Sequence, residues 1–457
     1  MGAMPRGRVP SLAAVLVGGA LLAWAGPAAA AWERPQRASQ GPLAAHSPTV
    51  AVNARGDGAA AWVRGTGRAA MIVVSLRPAG GAWSEPVGIS RRGRPAIDPG
   101  VAVDPQGRVT VIWRQVVGSR QVRVRGTLRR RAVYVARVRE RLLTDERWSA
   151  IVTLSSPRQK VGAPQLGVDD AGRAIAGWHW GTGTTPRDRG FVVEVQITER
   201  QADGSWVAPR AVSDSSACVQ VRRPRVTVGA RGSAVVWWQC DLPRSRSTAV
   251  GVSHGPGGAF GPPAELPFRT AGDVFANVSI AGARAVAVSA DGDGVLRWWR
   301  GDVGTTLVLA QVPALGSPER ADTSTGGPRI AVNAAGDALA AWADRFSVPR
   351  AAPMSSDLGV GASAALDLPG SPASRMRVSV GGSVRRATVA WIADGRVYAA
   401  TRAVDGAVER GIPISWVGVT DRDAPVVASD AAGNAVLLWT RVLRGRSVVE
   451  RAATAAP

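Results

Sequence analysis

Residues 330–342 of this 457-residue chain read IAVNAAGDALAAW, in which two short apolar runs flank a polar centre. Asn333 opens that centre and Gly336 ends it. An Asn side chain can accept hydrogen bonds from the backbone two residues on, and Gly adopts the left-handed conformation that closes a tight turn. The stretch therefore predicts a β-hairpin.

The hairpin is one copy of an internal repeat. Seven stretches place a Trp fourteen residues after a strand-opening residue that is usually Pro: Pro48 to Trp62, Pro99 to Trp113, Pro164 to Trp178, Pro224 to Trp238, Pro328 to Trp342, Arg377 to Trp391 and Pro425 to Trp439. The turn residues predicted from these copies are Asn53, Gly56, Asp104, Gly107, Asp169, Gly172, Gly232, Asn333, Gly336, Asp430 and Gly433. The copy at 229–232 has lost the side-chain acceptor, and the copy that begins at Arg377 carries Arg385 in place of the Gly. An eighth, worn copy spans 278–288.

Further strands follow each hairpin. A third apolar run comes next, such as MIVVS at 71–75, and a fourth run often opens on an aromatic residue, as WSEP does at 83–86. Four strands per repeat predict the blade of a β-propeller. Eight hairpins predict eight blades, with seven as the alternative if the worn copy is not a blade.

The two ends of the chain predict how the ring closes. The last repeat stops after its third run, at 447–453, whereas WERP at 32–35 has the character of an isolated fourth strand. We expect the N-terminal strand to complete the last blade, which leaves no open sheet edge. With 54 Gly and 31 Pro as turn residues and no helical period after the first thirty residues, residues 31–457 are predicted to be one all-β domain.

The first thirty residues have the pattern of a signal peptide. Arg6 and Arg8 precede an apolar stretch at 12–24, and the Ala run at 28–30 offers a cleavage site. The apolar stretch is shorter than the roughly twenty residues that a membrane span needs. We expect export, cleavage after residue 30, and a secreted, extracytoplasmic protein without a membrane span.

Export makes the two cysteines interpretable. Cys218 precedes one predicted hairpin and Cys240 follows it, so the fold places them at the same end of one blade, and a disulfide is expected. Such a bond would stabilise the fold by roughly 3 kcal/mol in the chain-entropy model. The three histidines, His46, His179 and His254, lie in different repeats, so neither a metal site nor a cofactor is expected.

Charge is the feature that points toward function. The formal net charge is +22, and 56 residues are basic. The loops after second strands and between blades should share one face of the ring, which we call the upper face. The candidate anion-binding residues there are Arg64, Arg120, Arg123, Arg125, Arg129, Arg130, Arg131, Arg187, Arg189, Arg244, Arg246, Arg345, Arg350, Arg444 and Arg446. Arg carries a planar donor fork that matches carboxylate and phosphate. The alternative is that an Arg-biased coding sequence fills polar loops with Arg.

One stretch of the upper face alternates Val with Arg. Residues 118–131 read GSRQVRVRGTLRRR, which predicts a ribbon that carries its charge on one side. Trp180 and Trp237 depart from the repeat register, so they are the candidates for exposed stacking platforms.

The repeat resembles those of known propellers. Residues 101–113, VAVDPQGRVTVIW, are similar to the repeats of secreted bacterial β-propellers and distantly to the sialidase-like and NHL-type families. The resemblance implies architecture alone. A sialidase Asp-box separates Asp from Gly by one residue, whereas here they are three apart and the Trp comes six after the Gly. The Arg triad and the Tyr and Glu pair of that family have no match, because Tyr134 and Tyr398 lie in third strands.

Three functions of different classes follow. The leading prediction is a non-enzymatic, monomeric binding module for an anionic glycan, a cell-envelope polymer or a protein. A hydrolase or lyase acting on acidic polysaccharide would need two paired carboxylates, drawn from Asp188, Asp241, Asp344, Asp394, Asp421 and Asp423. The third is a protein-interaction scaffold with scattered charge. Nucleic acid is not expected as a partner, because no stacking aromatics interleave with the basic run.

Overall fold

The chain folds into a ring of eight antiparallel sheets. The computed structural model describes residues 32–454, except 125–126, 158–159, 183–191, 202, 215–217, 245, 271–272, 314–318, 356–358, 367–371, 382–385, 403–408 and 421–422. The predicted signal peptide at 1–30 lies outside the described residues. Within the described part, no helix has both the length and the apolar character that a membrane crossing requires.

The first half of the ring contains blades 1 to 4. An N-terminal strand, β1 (Gln36–Arg37), precedes blade 1, which comprises β2 (Ala45–Val52), β3 (Gly58–Arg64), β4 (Met71–Arg77) and β5 (Val87–Gly88). Blade 2 comprises β6 (Ala96–Val103), β7 (Arg108–Val124), β8 (Thr127–Leu142) and β9 (Val152–Thr153). Blade 3 comprises β10 (Lys160–Val161), β11 (Gln165–Val168), β12 (Ala174–Thr182), β13 (Val192–Glu199) and β14 (Arg210–Ala211). Blade 4 comprises β15 (Gln220–Val228), β16 (Ala234–Leu242), β17 (Arg246–His254) and β18 (Ala264–Thr270).

The second half contains blades 5 to 8. Blade 5 comprises β19 (Phe275–Ala281), β20 (Arg284–Ala290), β21 (Leu296–Val303) and β22 (Leu307–Val312). Blade 6 comprises β23 (Arg329–Val332), β24 (Ala338–Ala343), β25 (Pro349–Ser355), β26 (Gly359–Val360) and β27 (Ala364–Ala365). Blade 7 comprises β28 (Ser374–Val380), β29 (Ala387–Ala393), β30 (Arg396–Arg402) and β31 (Ile412–Pro413). Blade 8 comprises β32 (Val426–Ser429), β33 (Ala435–Leu443) and β34 (Arg446–Ala453). Three short 3-10 turns occur at Gly67–Ala69, Ala230–Gly232 and Thr323–Thr325.

The first strand of every blade lies innermost. Strand order within each sheet follows the chain from the first strand outward. Each first strand also contacts the first strands of both neighbouring blades, from β2 around to β32 and back to β2. Eight first strands therefore surround a central channel. The prediction of an all-β, eight-bladed propeller is confirmed, and the seven-blade alternative is wrong.

The ring closes by pairing the two ends of the chain. β1 pairs antiparallel with β34, with Gln36 opposite Arg451. Trp32 forms a further bridge with Thr454. The prediction that an N-terminal strand completes the last blade is confirmed, although the paired segment extends beyond the 32–35 stretch.

The core lies between the blades rather than inside any one of them. β24 reads ALAAWA, and all six of its residues are buried, because a neighbouring blade covers each face. The repeat Trp lies within the second strand and has no exposed surface in seven blades: Trp62, Trp113, Trp178, Trp238, Trp342, Trp391 and Trp439. Truncation of a buried side chain of this size typically costs about 3 to 5 kcal/mol. Interblade packing therefore supplies the main stabilisation of the ring.

Blade 5, the worn copy, is complete but packs differently. Its second strand carries no Trp. Trp298 and Trp299, on the third strand, are buried instead. The ring of Trp298 packs edge-on against Trp342 of blade 6, with centroids 5.9 Å apart. The third strand thus fills the space that the second-strand Trp fills elsewhere.

The turns between first and second strands are closed by side chains. The Asn53 side-chain oxygen accepts hydrogen bonds from the backbone N–H groups of Arg55 and Asp57, both at 3.0 Å. Gly56 has a φ of 94°, in the left-handed region. Asp104 and Asp169 accept the same two backbone hydrogen bonds, and Asn333 and Asp430 accept the one from the residue four positions on.

The turn at 229–232 takes its acceptor from another blade. Gly229 offers no side chain, and the backbone N–H of Arg231 donates to the carboxylate of Asp170, at 2.7 Å. Asp170 belongs to the corresponding turn of blade 3. A contact between blades thus replaces one within the turn.

We expect Gly336→Val to lower the free energy of unfolding by about 1 to 3 kcal/mol, because a β-branched residue adopts a positive φ only with strain. Gly336 has a φ of 87°. Urea denaturation of the mature protein measures the change. Ala335→Val, at an exposed position in the same turn, is the matched control. Equal stability losses for the two variants would contradict the turn assignment.

Deletion of residues 32–39 should open the ring and lower the melting temperature of the mature protein by roughly 5 °C or more. A variant carrying both Gln36→Ala and Arg37→Ala keeps the backbone pairing, and both side chains are exposed, so it should melt like wild type. Calorimetry compares the three proteins. If the truncated protein melted at the wild-type temperature, β1 would not be the closing strand.

Candidate anion-binding site

The predicted basic segment forms a two-stranded ribbon that extends beyond the blade 2 sheet. β7 and β8 stay paired out to Val124 and Thr127, whereas β6 pairs with β7 only as far as Gln115. The arginines at 129–131 are exposed. Arg125 and the side chain of Arg123 lie outside the described part of the chain.

The ribbon carries charge on both faces. Its register sets Arg120 opposite Arg131 and Gln121 opposite Arg130. Residues directly opposite each other share a face, so Arg130 lies on the face opposite to Arg120 and Arg131. The expected one-sided charge is therefore wrong, because consecutive arginines in a strand must alternate between faces.

Two other predicted arginines bind within their own loop. The Arg350 Nε donates to the Asp344 carboxylate at 2.9 Å, an ion pair that holds the loop after β24. The guanidinium of Arg345 lies 4.6 Å from the ring centroid of Phe346, and both side chains are exposed. Both side chains therefore have partners within the protein, and their positions require no ligand.

Two more of the predicted arginines lie in tight turns. Arg244 and Arg444 adopt positive φ values of 63° and 51° in the turns that join second and third strands. Arg444 and Arg446 also line a cavity of about 430 Å³ near the chain ends. The Arg64 Nη2 lies 3.2 Å from the Met71 sulfur.

Of the three remaining predicted arginines, the structure describes one. Arg246 is exposed at the start of β17. Arg187 and Arg189 lie outside the described residues. None of the predicted arginines that the structure describes lines the cavity at the channel mouth, where five other arginines converge.

Three of those five occupy the same position in their sheets. Arg225 and Arg329 each come one residue after the strand-opening Pro of blades 4 and 6, and Arg377 is itself the strand-opening residue of blade 7. Each faces the residue that precedes the buried Trp of its second strand. Because first strands are innermost, this position lies beside the channel.

The other two, Arg223 and Arg375, sit at β-bulges. Their φ values are 50° and 54°, and each first strand shifts register at this point. Ser47 and Asp98 adopt the same conformation at the equivalent bulges of blades 1 and 2. A positive φ in a residue other than Gly costs on the order of 1 kcal/mol or more. We call Arg223, Arg225, Arg329, Arg375 and Arg377 the channel arginines.

The channel arginines line one cavity of about 510 Å³. Trp237 and Phe275 give this cavity an apolar side, and Thr323 and Ser324 contribute hydroxyl groups from the loop before blade 6. Trp237, predicted as an exposed stacking candidate, is only 4% exposed. The volume falls in the range of small-ligand sites, which is about 300 to 1,000 Å³.

Positive charge in the cavity is poorly balanced. Asp273 is the one carboxylate among the described lining residues, and it pairs with Arg223 at 2.8 Å. No carboxylate of the described residues lies within ion-pair distance of Arg225, Arg329 or Arg377. Like charges held together in a partly enclosed site raise the free energy of the folded chain.

This environment lowers the pKa values of the guanidinium groups. For Arg329, desolvation inside the ring and repulsion from the other four channel arginines lower the pKa to about 9. For Arg377, desolvation and repulsion from Arg225 and Arg375 lower the pKa to about 10. The pKa of Arg225 is also lowered, by desolvation and by Arg223. Arg329 and Arg377 are therefore charged at neutral pH, and both keep partial contact with solvent through the channel.

The acids predicted for a hydrolase are engaged in structural contacts. Asp241 forms an ion pair with Arg222 at 2.7 Å. Asp423 accepts a hydrogen bond from the Ser47 backbone N–H at 2.7 Å. Asp394 lies in a turn with a φ of 49°. Asp188 and Asp421 lie outside the described residues. Asp344 pairs with Arg350, and none of the four described acids lines the channel cavity.

The predicted disulfide is present and supports the site. Cys218 and Cys240 are bonded, with their Cα atoms 5.2 Å apart. The bond ties the start of β15, which carries Arg223 and Arg225, to the end of β16. The structure's described residues include no group of metal-ligating side chains.

The channel arginines were not predicted because first-strand residues of a repeat protein are expected to pack against the neighbouring blades. The signal was present in the sequence only in part. Arg225 and Arg329 lie thirteen residues before the repeat Trp, whereas Arg377 lies fourteen before it, because six residues rather than five separate the two paired strands of blade 7. The corresponding residues in blades 1, 2 and 3 are Thr49, Gly100 and Gln165.

Comparison with known proteins identifies the fold. No family model and no curated protein matches this chain. The BP39L lectin from Burkholderia pseudomallei is similar at a TM-score of 0.51 and 14% identity, covering 81% of this chain and 99% of the lectin. A puromycin hydrolase is similar at a TM-score of 0.50 and 16% identity, covering 90% of this chain and 61% of that one. The Hadza microbial sialidase Hz136 has a TM-score of 0.42 and 12% identity, covering 85% of this chain and 74% of that one. At these identities the likeness concerns fold alone.

We expect Arg329→Gln to raise the free energy of unfolding by on the order of 1 kcal/mol, after allowance for solvent screening in the channel. Folding lowers the Arg329 pKa, so the folded state disfavours the charged form and the penalty is fully present at pH 7. Urea denaturation at pH 7 measures the change. Arg284→Gln, exposed on the opposite face of the ring, should leave stability unchanged. A clear loss of stability in Arg329→Gln would mean that its charge is compensated.

Proposed function

We propose that this chain is a secreted β-propeller that binds an anionic group of a glycan or of a cell-envelope polymer at its channel mouth. The binding groups are the channel arginines. Phe275 packs against the uncharged part of the ligand. The upper-face loops and the basic ribbon make secondary contacts with a longer polymer.

One observation carries the proposal, namely the imbalance of charge in the channel cavity. Five guanidinium groups share that cavity with a single described carboxylate. Two of them sit at positions of backbone strain, and Arg329 and Arg377 are partly desolvated. An anion that enters the cavity removes the repulsion and satisfies the open N–H donors. Sites that lower stability in this way are often functional.

The secreted location rests on two supports. The leader at 1–30 has a charged start, an apolar centre and a small-residue end. The Cys218–Cys240 disulfide is typical of oxidising compartments. We propose accordingly that residues 31–457 form the mature, single-domain protein.

A glycan or envelope polymer suits the shape and polarity of the cavity. Its volume of about 510 Å³ accommodates one or two sugar rings with their charged substituent. Hydroxyl groups from Thr323 and Ser324 lie beside the guanidinium groups, so the lining can bind sugar hydroxyls as well as charge. The lectin with a similar fold adds only that a propeller ring is compatible with glycan binding.

Binding is favoured over hydrolysis by the composition of the lining. A glycosidase of the usual kind needs two carboxyl groups on either side of the scissile bond. The described lining of the cavity has Asp273 alone, and that carboxylate is paired with Arg223.

We expect the mature, oxidised protein to bind acidic members of an array of glycans and envelope polymers, and to bind them more weakly at about 300 mM than at about 50 mM salt. A variant carrying Arg329→Gln and Arg377→Gln should lose at least about tenfold in affinity, because two charge-assisted contacts are removed. The ribbon variant Arg129→Ala, Arg130→Ala and Arg131→Ala should lose less. Binding is measured by biolayer interferometry after the array identifies the ligands.

Arg284→Gln is the matched control, since it removes one exposed charge from the opposite face. Loss of binding in the ribbon variant, with full binding in the channel variant, would move the site to the ribbon. If the protein bound no polymer, or bound every polyanion equally, the arginines would not form a specific binding site.

A further inference from the structure

We infer that the channel cavity receives a group with two negative charges, a phosphate monoester or a diphosphate, rather than a single carboxylate. This inference rests on the proposed function and specifies the chemistry of the ligand. It concerns the same five side chains, and it is argued from their number, their arrangement and their unused hydrogen-bond donors.

The number of charges favours a multiply charged ligand. Arg223 is paired with Asp273. Arg225, Arg329 and Arg377 have no carboxylate partner among the described residues, so these three guanidinium groups face the ligand. Arg329 is repelled by every other channel arginine. A carboxylate brings one negative charge and would leave most of this repulsion in place. A phosphate monoester brings about two at neutral pH, and a diphosphate brings more.

The arrangement of the arginines favours a tetrahedral group. Arg225, Arg329 and Arg377 project from the first strands of three different blades around one cavity. The two oxygens of a carboxylate lie in one plane and suit one bidentate guanidinium. The oxygens of a phosphate point in several directions, so they can accept hydrogen bonds from guanidinium groups that approach from different blades.

The donors that a phosphate needs are open. Arg377 Nη1 donates to its neighbouring Met376 carbonyl at 2.8 Å, and Arg329 Nη1 donates to the Pro328 carbonyl at 3.3 Å. Each guanidinium has five N–H donors. Among the described residues, these bonds to adjacent carbonyls orient the two side chains and leave most of their N–H donors without a partner.

The lining of the same cavity also indicates the chemistry of the uncharged part of the ligand. Trp237 and Phe275 provide an apolar surface beside the cluster, and Thr323 and Ser324 provide hydroxyl groups. A sugar ring presents both an apolar face and hydroxyl groups. The shared chemistry is therefore a terminal phosphate on a sugar, which can come from a phosphorylated envelope polymer or from a free sugar phosphate.

The side chains that face the site predict how binding depends on pH. The titratable groups lining the cavity are the five channel arginines and Asp273, and Asp322 caps the adjacent 3-10 turn. No histidine occurs among the described lining residues. Carboxyl and guanidinium groups ordinarily titrate outside the interval from about pH 5.5 to 8. Only the second ionisation of a phosphate ligand, near about pH 6, falls inside it.

The test is isothermal titration calorimetry on the mature, oxidised protein at constant ionic strength. The probes are glucose 6-phosphate and glucuronate, which present a phosphate and a carboxylate on similar sugar rings, together with pyrophosphate. We expect glucose 6-phosphate to bind about tenfold more tightly than glucuronate at pH 8. Its affinity should fall about fourfold at pH 5.5, as the dianion is protonated, while that of glucuronate stays constant.

Two further arms identify the site and the source of the phosphate. The variant with Arg329→Gln and Arg377→Gln should lose at least about tenfold in glucose 6-phosphate affinity. Arg284→Gln should bind like wild type, and urea denaturation confirms that all variants are folded. Competition by a phosphorylated polymer from the array that exceeds competition by free glucose 6-phosphate would assign the polymer as the source. The reverse order would assign the free ester.

The failures are distinguishable. Glucuronate binding as tightly as glucose 6-phosphate, with both lost in the Arg variant, would overturn the phosphate inference and leave the anion site intact. Phosphate affinity that is unchanged between pH 8 and 5.5 would also overturn it. No binding of any probe, together with an empty array, would overturn the proposed function as well.

Discussion

The second strand of a typical blade is covered on both faces by its neighbours, and the ring depends on this burial. The repeat Trp within this strand has no exposed surface in seven blades. An isolated blade would expose the indole of this Trp, and the apolar Ala and Val beside it, to water. Each blade therefore needs its neighbours for stability. The chain must therefore close on itself. Pairing of β1 with β34 provides the closure and leaves blade 8 with four strands like the others.

Closure also determines where the charges meet. First strands are innermost, so equivalent positions of different repeats face one channel. Neutral residues stand at this position in blades 1, 2 and 3, whereas blades 4, 6 and 7 carry Arg. The resulting repulsion lowers the pKa of Arg329 and Arg377 and opposes folding. Interblade packing is extensive enough for the fold to tolerate this loss at a single site.

Much of the fold could be predicted from sequence because each copy of the repeat carries the same local determinants of turn and strand. Asn333 and Gly336 encode a turn whose geometry is local, and the Trp spacing encodes a strand that is buried in every copy. Even the closing strand was predictable, since the last repeat lacks its fourth strand. The one-sided charge of the ribbon was wrong for an equally local reason, which is that adjacent strand residues point to opposite faces.

The site was harder to predict because it depends on contacts between distant repeats. Arg225 and Arg377 are 152 positions apart, and only the closed ring brings their guanidinium groups into one cavity. Counting arginines in loops led instead to residues such as Arg350, which is paired with Asp344 inside its own loop. The fixed offset after the strand-opening Pro would have identified Arg225 and Arg329, whereas the register of blade 7 is needed to place Arg377 with them. The partner of each charge, or the lack of one, requires the structure.

The most direct test is a crystal structure of the mature, oxidised protein grown with glucose 6-phosphate. If the channel arginines form the site, the phosphate lies between the guanidinium groups of Arg225, Arg329 and Arg377, with the sugar ring against Phe275. A phosphate bound only on the β7 and β8 ribbon or at the outer loops would contradict this assignment, as would carboxylates of the chain itself paired with all three arginines.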